Sequence, residues 1–235
     1  MPTYRGKAAP FDNVPERDNL HIHRFIGVDM PLSDDFITDP VLFEELRAEV
    51  VALLRSAGSV KVEAAPEVKA GEQLDLFVTV RNLIDAHSLP TGATFNRQLW
   101  LAVTVKDANG TILYQTGHLD DNGDLRNYWS SLDQFGDDDL IEFSSRFVDA
   151  RGNPTVFPWK AAEHITSSLS PLYARTLTLF VDTQPGTVGP LTIDVKLRFR
   201  SFPPFLLRAL GLGDLAHKLI VTDIDEDILT MDVTH

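Results

Sequence analysis

The run Leu191–Arg200 alternates without a fault. Leu191, Ile193, Val195, Leu197 and Phe199 fall on one side, and Thr192, Asp194, Lys196, Arg198 and Arg200 on the other. Successive strand side chains point to opposite faces, so this pattern predicts a strand with one face in a core and one toward water. The same period recurs at Val60 and Val62, at Leu74, Leu76, Val78 and Val80, at Leu99, Leu101, Val103 and Val105, and at Leu177, Leu179 and Val181. Pro- and Gly-containing turns separate the runs. Asn109-Gly110 is the strongest hairpin signal and predicts a type I′ turn. Asn109-Gly110-Thr111 also spells a glycosylation sequon, which is secondary to its turn chemistry. Several short alternating strands predict an all-β fold, an antiparallel Ig-like β-sandwich, with residues 97–105 as a central strand.

The flanks read differently. Residues 1–37 carry four prolines and little periodicity, and predict an extended arm that wraps over another surface. A helix is expected within 38–58: Asp39 caps it, Pro40 suits the first turn, and Leu42, Leu46, Val50 and Leu53 or Leu54 share a face. The sandwich then spans 59–200, interrupted at 117–174 by a long, acidic, aromatic insertion with short strands near 140–147 and Val156. Residues 201–235 form a C-terminal tail: a short apolar helix at 205–212, then one more strand at 219–233 with an acidic turn at 223–227.

Charge bounds the partners. The 235 residues hold 21 Lys and Arg against 34 Asp and Glu, a net charge of −13. Nucleic-acid binding draws its affinity from neutralised phosphates, so that class is excluded. Cysteine is absent, which rules out disulfides, thiol catalysis and thioether attachment of haem within this sequence. No apolar run is long enough for a membrane span, and Met1-Pro2-Thr3 is not followed by a signal-peptide core.

Few constellations carry chemistry. Asp120, Asn122 and Asp124 have the spacing that opens an EF-hand loop, but Leu125 and Ser131 stand where glycine and glutamate are required. The triplet remains a candidate calcium site of another kind, with Asp137, Asp138 and Asp139 as further carboxylates; the alternative is a solvated acidic turn. No two acids stand out as a glycosidase pair. Ser88 beside His87 lacks the geometry of a nucleophile and its base, and His87 reads as a structural hydrogen-bonder. His21 and His23, two apart on an extended segment, can face one side and ligate a metal or haem iron; they can equally pack and hydrogen-bond.

A larger pattern joins these pieces. His87-Ser88-Leu89-Pro90-Thr91-Gly92, Arg97-Gln98-Leu99-Trp100-Leu101, Asp107-Ala108-Asn109-Gly110, Leu113-Tyr114-Gln115-Thr116-Gly117 and Asp121-Asn122-Gly123-Asp124-Leu125 occur in that order. They are joined by His21-Ile22-His23-Arg24-Phe25-Ile26-Gly27 and by the run from Phe199 through Phe202-Pro203-Pro204-Phe205 to Gly211. Together they resemble the C-terminal β-sandwich region of bacterial multihaem cytochromes c, in the cytochrome c554-like group. The resemblance implies a non-catalytic accessory domain of an electron-transfer protein, periplasmic or extracellular. Such a domain caps the haem domain of the same polypeptide or of a cytochrome subunit and mediates protein or homo-oligomer contacts. It also implies that His21 or His23 serves as a distal ligand to haem c held in the neighbouring domain. In such cytochromes a Cys-x-x-Cys-His motif is often followed by Met-Pro, so Met1-Pro2 is expected to follow a haem domain directly. The contrasting expectation is a stand-alone secreted module, calcium-dependent through Asp120, Asn122 and Asp124, that binds carbohydrate or protein.

Overall fold

The computed structural model describes residues 3–21 and 26–235. The arm begins as a hairpin: β1 (Thr3–Lys7) pairs antiparallel with β2 (Glu16–His21). It folds back on itself where the sequence predicts an extended run. Exposed charges pair across the ribbon, with Arg5 3.3 Å from both Glu16 and Asp18. Past the turn of the arm, Ile26, Val28 and Met30 pack against the core. Two ion pairs strap this segment down, Arg97 to Asp29 at 2.8 Å and Lys218 to Asp34 at 2.8 Å.

α1 (Pro40–Arg55) starts where expected, with the Asp39 carboxylate accepting from the Val41 N–H at 2.9 Å. Only Val50 and Leu54 are buried; Leu42 and Leu53 of the predicted apolar face stay exposed. Then follow β3 (Gly58–Glu63), β4 (Glu67–Lys69), β5 (Gln73–Asn82), β6 (Gln98–Lys106) and β7 (Ile112–Thr116). The insertion contributes β8 (Ser145–Asp149), β9 (Pro154–Thr155) and β10 (Ala161–Thr166). β11 (Ala174–Asp182), β12 (Leu191–Arg200), α2 (Pro204–Ala209) and β13 (Thr222–Thr234) complete the chain.

The predicted β-sandwich is present. One sheet has the order β11-β5-β3 and the other β4-β13-β12-β6-β7. Leu76, Val78 and Val80 of the first sheet and Leu101, Val103, Ile193, Val195 and Leu197 of the second are fully enclosed in one core. β12 holds the middle of that sheet, where residues 97–105 were expected; β6 is an inner strand next to it, paired with β12 along its length and with the edge strand β7 over its second half. Over its first half the edge is taken by residues 141–143: Leu101 N–H donates to Ile141 O at 3.1 Å and Phe143 N–H to Leu99 O at 2.8 Å.

Two expectations change. The turn at Asn109-Gly110 is present, but only Gly110 takes a positive φ (82°), so it is not type I′. Asp107 explains this: its carboxylate accepts from the N–H groups of Asn109 (2.9 Å) and Thr111 (2.8 Å) and closes the loop from one side. The acidic run near the C-terminus is no turn. β13 continues through it, with a register shift between Asp223 and Asp225, and lies between β12 and β4. Its acids are individually partnered. Asp225 accepts from Val60 N–H (2.9 Å) and Asp227 from Val62 N–H (2.8 Å), and Asp223 pairs with Arg198 (2.9 Å). β3 is the edge of its sheet, and these carboxylates satisfy edge donors that would otherwise invite another strand.

The outer face of the five-stranded sheet is also covered. Trp100 points away from the sandwich core yet is fully buried, its ring under the Arg200 guanidinium and its Nε1 bonded to Gly117 O. The molecule therefore has a third layer that alternation alone did not predict.

Candidate functional site

The third layer is fixed at two points. Trp100 Nε1 donates to Gly117 O at 2.9 Å, and Gly117 N–H donates to Asp137 at 2.7 Å. The second point is Arg200, predicted to face water and in fact 2% exposed. Its guanidinium donates to Gln98 Oε1 through Nε (2.8 Å) and Nη2 (2.6 Å), and to Gly123 O through Nη1 (2.6 Å). Burial pulls its pKa down to about 10, so it remains charged at neutral pH.

The predicted calcium triplet does come together, as a hydrogen-bonded turn. Asp120 Oδ1 accepts from Asn122 N–H (2.8 Å) and Asp124 N–H (2.9 Å), and its Oδ2 from Ser130 Oγ (2.6 Å). Asp124 is buried, accepts from Phe205 N–H at 3.0 Å and is ion-paired with Arg208. Burial pushes the Asp124 carboxyl up, against the pull of Arg208. The Asp120 oxygens are thus taken up within the loop, and those of Asp124 by α2. Among the described residues, no group of three or more His, Asp or Glu is arranged to hold a metal ion. Asp124→Asn should cost about 2 kcal/mol, the worth of a hydrogen bond to a charged group. That lowers the melting temperature by about 4–8 °C for a chain of this size. Melting with and without millimolar calcium should coincide in both proteins.

His21 ends β2 and is exposed on the hairpin. His23, the other candidate haem ligand, lies outside the described residues, so their relative placement is not defined. The His87 ring bonds only locally, its Nδ1–H donating to Ser88 O at 3.0 Å. No helix among the described residues is long and apolar enough to cross a membrane.

What residue reasoning missed is a cavity of about 290 Å³ at the junction of the third layer with β8 and β9. Phe95, Tyr128, Trp129, Phe147 and Phe205 form its walls. Trp129 lies flat on Phe205, centroids 4.6 Å apart at 6°. Glu142 and Gln98 lie at its floor. Glu142 is half-buried and lines the cavity. One of its oxygens accepts from Asn127 Nδ2 at 2.9 Å. Burial pushes its carboxyl up, more than Asn127 and the distant charge of Arg146 pull it down. The clustered aromatics of the insertion were the available sequence signal. Their convergence with Gln98 of β6 and Phe205 of α2 was not readable, because these lie far apart in the chain.

The raised carboxyl has a sign. Folded Glu142 holds its proton more tightly than the unfolded chain, so its contribution to stability is complete below its ordinary pKa of 4.5. It is lost as pH rises through the raised folded value. Glu142→Gln keeps an oxygen for Asn127 and removes the ionisation. The melting temperature of the variant, relative to the parent, should climb as pH goes from acid to neutral; parallel curves would contradict this.

No protein-family model matches the chain, and no curated protein matches it. Solved structures do. A penta-haem cytochrome c552 from Thermochromatium tepidum aligns with a TM-score of 0.51 and 23% identity, covering 76% of this chain and 41% of that one. The CARDB domain of the PF1109 protein from Pyrococcus furiosus, in complex with di-metal ions, gives a TM-score of 0.32 at 13% identity, covering 75% and 87%. A putative superoxide reductase from Thermotoga maritima gives 0.31 at 13%, covering 78% and 91%. The chain thus spans about two fifths of the length of the cytochrome, and the aligned parts share this fold.

Proposed function

We propose that this chain is the non-catalytic β-sandwich part of a multihaem c-type cytochrome, packed against a haem-bearing part of the same polypeptide or a separate subunit. The observation that carries this reading is the fold shared with a penta-haem cytochrome over three quarters of the chain. The ordered motifs of the sequence agree with it. Electron transfer would belong to the haem-bearing part, since this chain lacks the cysteines for thioether attachment. His21 and His23 would reach a haem iron from the arm, and the protein would work in the periplasm or outside the cell.

Surface chemistry supports a covering partner on the arm side. Phe36 is 81% exposed, and Val41 and Leu42 stand exposed at the start of α1. Large apolar side chains grouped in this way mark contact surfaces. The test is the native polypeptide that contains this sequence, isolated from its source and examined by intact mass and optical spectrum. Covalent haem on it, or a haem protein bound firmly to it, is expected. His21→Ala or His23→Ala should then convert one low-spin haem to high-spin. A haem-free polypeptide with no haem-protein companion would overturn the reading.

A further inference from the structure

We propose that the cavity between β6, the insertion and α2 binds one neutral sugar ring. The inference is independent of the haem reading. At about 290 Å³ the space is at the lower limit of small-molecule sites and suits a single ring. The ends of the site differ in chemistry as a sugar's faces and edges do. Phe95, Tyr128 and Phe147 offer flat apolar surface for the C–H face of a pyranose.

The floor offers hydrogen bonds of both kinds. Gln98 is 6% exposed, and its Oε1 is taken by both N–H groups from Arg200. Its amide nitrogen is not sealed off from solvent, and Gln98 lines the cavity, so a donor is accessible there. The second oxygen of Glu142, not used by Asn127, supplies an acceptor or, when protonated, a donor. Hydroxyl groups both donate and accept, and a ring bearing several can serve both.

The charges around the site favour a neutral ligand. Arg97 is held by Asp29 and by Ser201 O at 3.0 Å. Asp137 is committed to Thr116 Oγ1 (2.8 Å), Gly117 N–H and Arg126. What remains is Arg146, whose charge acts on Glu142, and Asp138, all three lining the site. An anion would meet Glu142 and Asp138, and a cation would meet Arg97 and Arg146. Neither finds an unopposed counter-charge.

Titration of the full chain with glucose, galactose, mannose and N-acetylglucosamine, read by saturation-transfer NMR and tryptophan fluorescence, tests this. Phosphate and choline serve as the anionic and cationic comparison probes. At least one of the sugars should bind saturably in the millimolar range, with a fluorescence change that Trp129→Phe abolishes. Glu142→Gln and Tyr128→Ala should each weaken it by about tenfold or more. Tyr128 is surface-exposed, so its variant keeps the test valid if Glu142→Gln melts early. Absence of saturable sugar binding, preference for phosphate or choline, or affinity unchanged in both variants would each overturn the proposal.

Discussion

Gly117→Ala should leave the protein barely folded, with a melting temperature lower by about 10 °C or more. Gly117 has φ of 72°, in the left-handed region that costs an L-residue about 1–2 kcal/mol. Space is the larger problem. A Cβ there would lie 1.9 Å from Leu101 O and 2.8 Å from Ala102 Cα. Both atoms belong to the backbone of β6, which is hydrogen-bonded to β12 and cannot retreat. Overpacking of this kind adds about 3 kcal/mol, and each kcal/mol is worth about 2–4 °C at this chain length. The Trp100–Gly117–Asp137 hydrogen bonds would open with it. Gly110→Ala is the control: φ is 82°, but nothing lies within 4 Å of its Cβ. It should show the conformational cost alone. Equal losses at the two positions would refute the steric account.

Arg200→Met should cost about 3 kcal/mol and lower melting by about 6–12 °C. Methionine fills much of the space but leaves Gln98 Oε1 and Gly123 O buried without donors. An orphaned buried acceptor costs about 1–3 kcal/mol, whereas removing both partners of a buried polar pair is far milder. The double variant Arg200→Met with Gln98→Leu should therefore be more stable than the sum of the single changes predicts. Strict additivity, measured by thermal or denaturant melting, would show that the two side chains act separately.

Both experiments probe the layer that residue patterns did not reveal. Alternation on β12 assigned Arg198 and Arg200 to the same outward face. That assignment holds, yet Arg200 is enclosed and Arg198 is partly open, paired with Asp223. The difference lies in what covers each position. The same holds for the acidic groups. Asp120, Asn122 and Asp124 were legible as a cluster, but not the donors that occupy Asp124, since Phe205 and Arg208 come from α2, more than eighty residues away. The cavity shows the same limit: its aromatic side chains stand out in the insertion, while the two polar groups at its floor come from β6 and from the segment that extends the sheet beside it.

Local chemistry determined much of this protein. Period-two alternation set which side chains enter the sandwich, because a strand turns successive residues to opposite faces whatever its neighbours. Asp39-Pro40 set the start of α1, and Asn109-Gly110 the place of a turn. Tertiary structure alone decided the partners. It put β13 between β12 and β4, joined Asp225 and Asp227 to the N–H groups of β3, and laid the insertion over Trp100 and Arg200. Alternation fixes a face but carries no information on what will cover it. Burial and hydrogen-bond pairing of that second face depend on segments brought together only when the whole chain is packed.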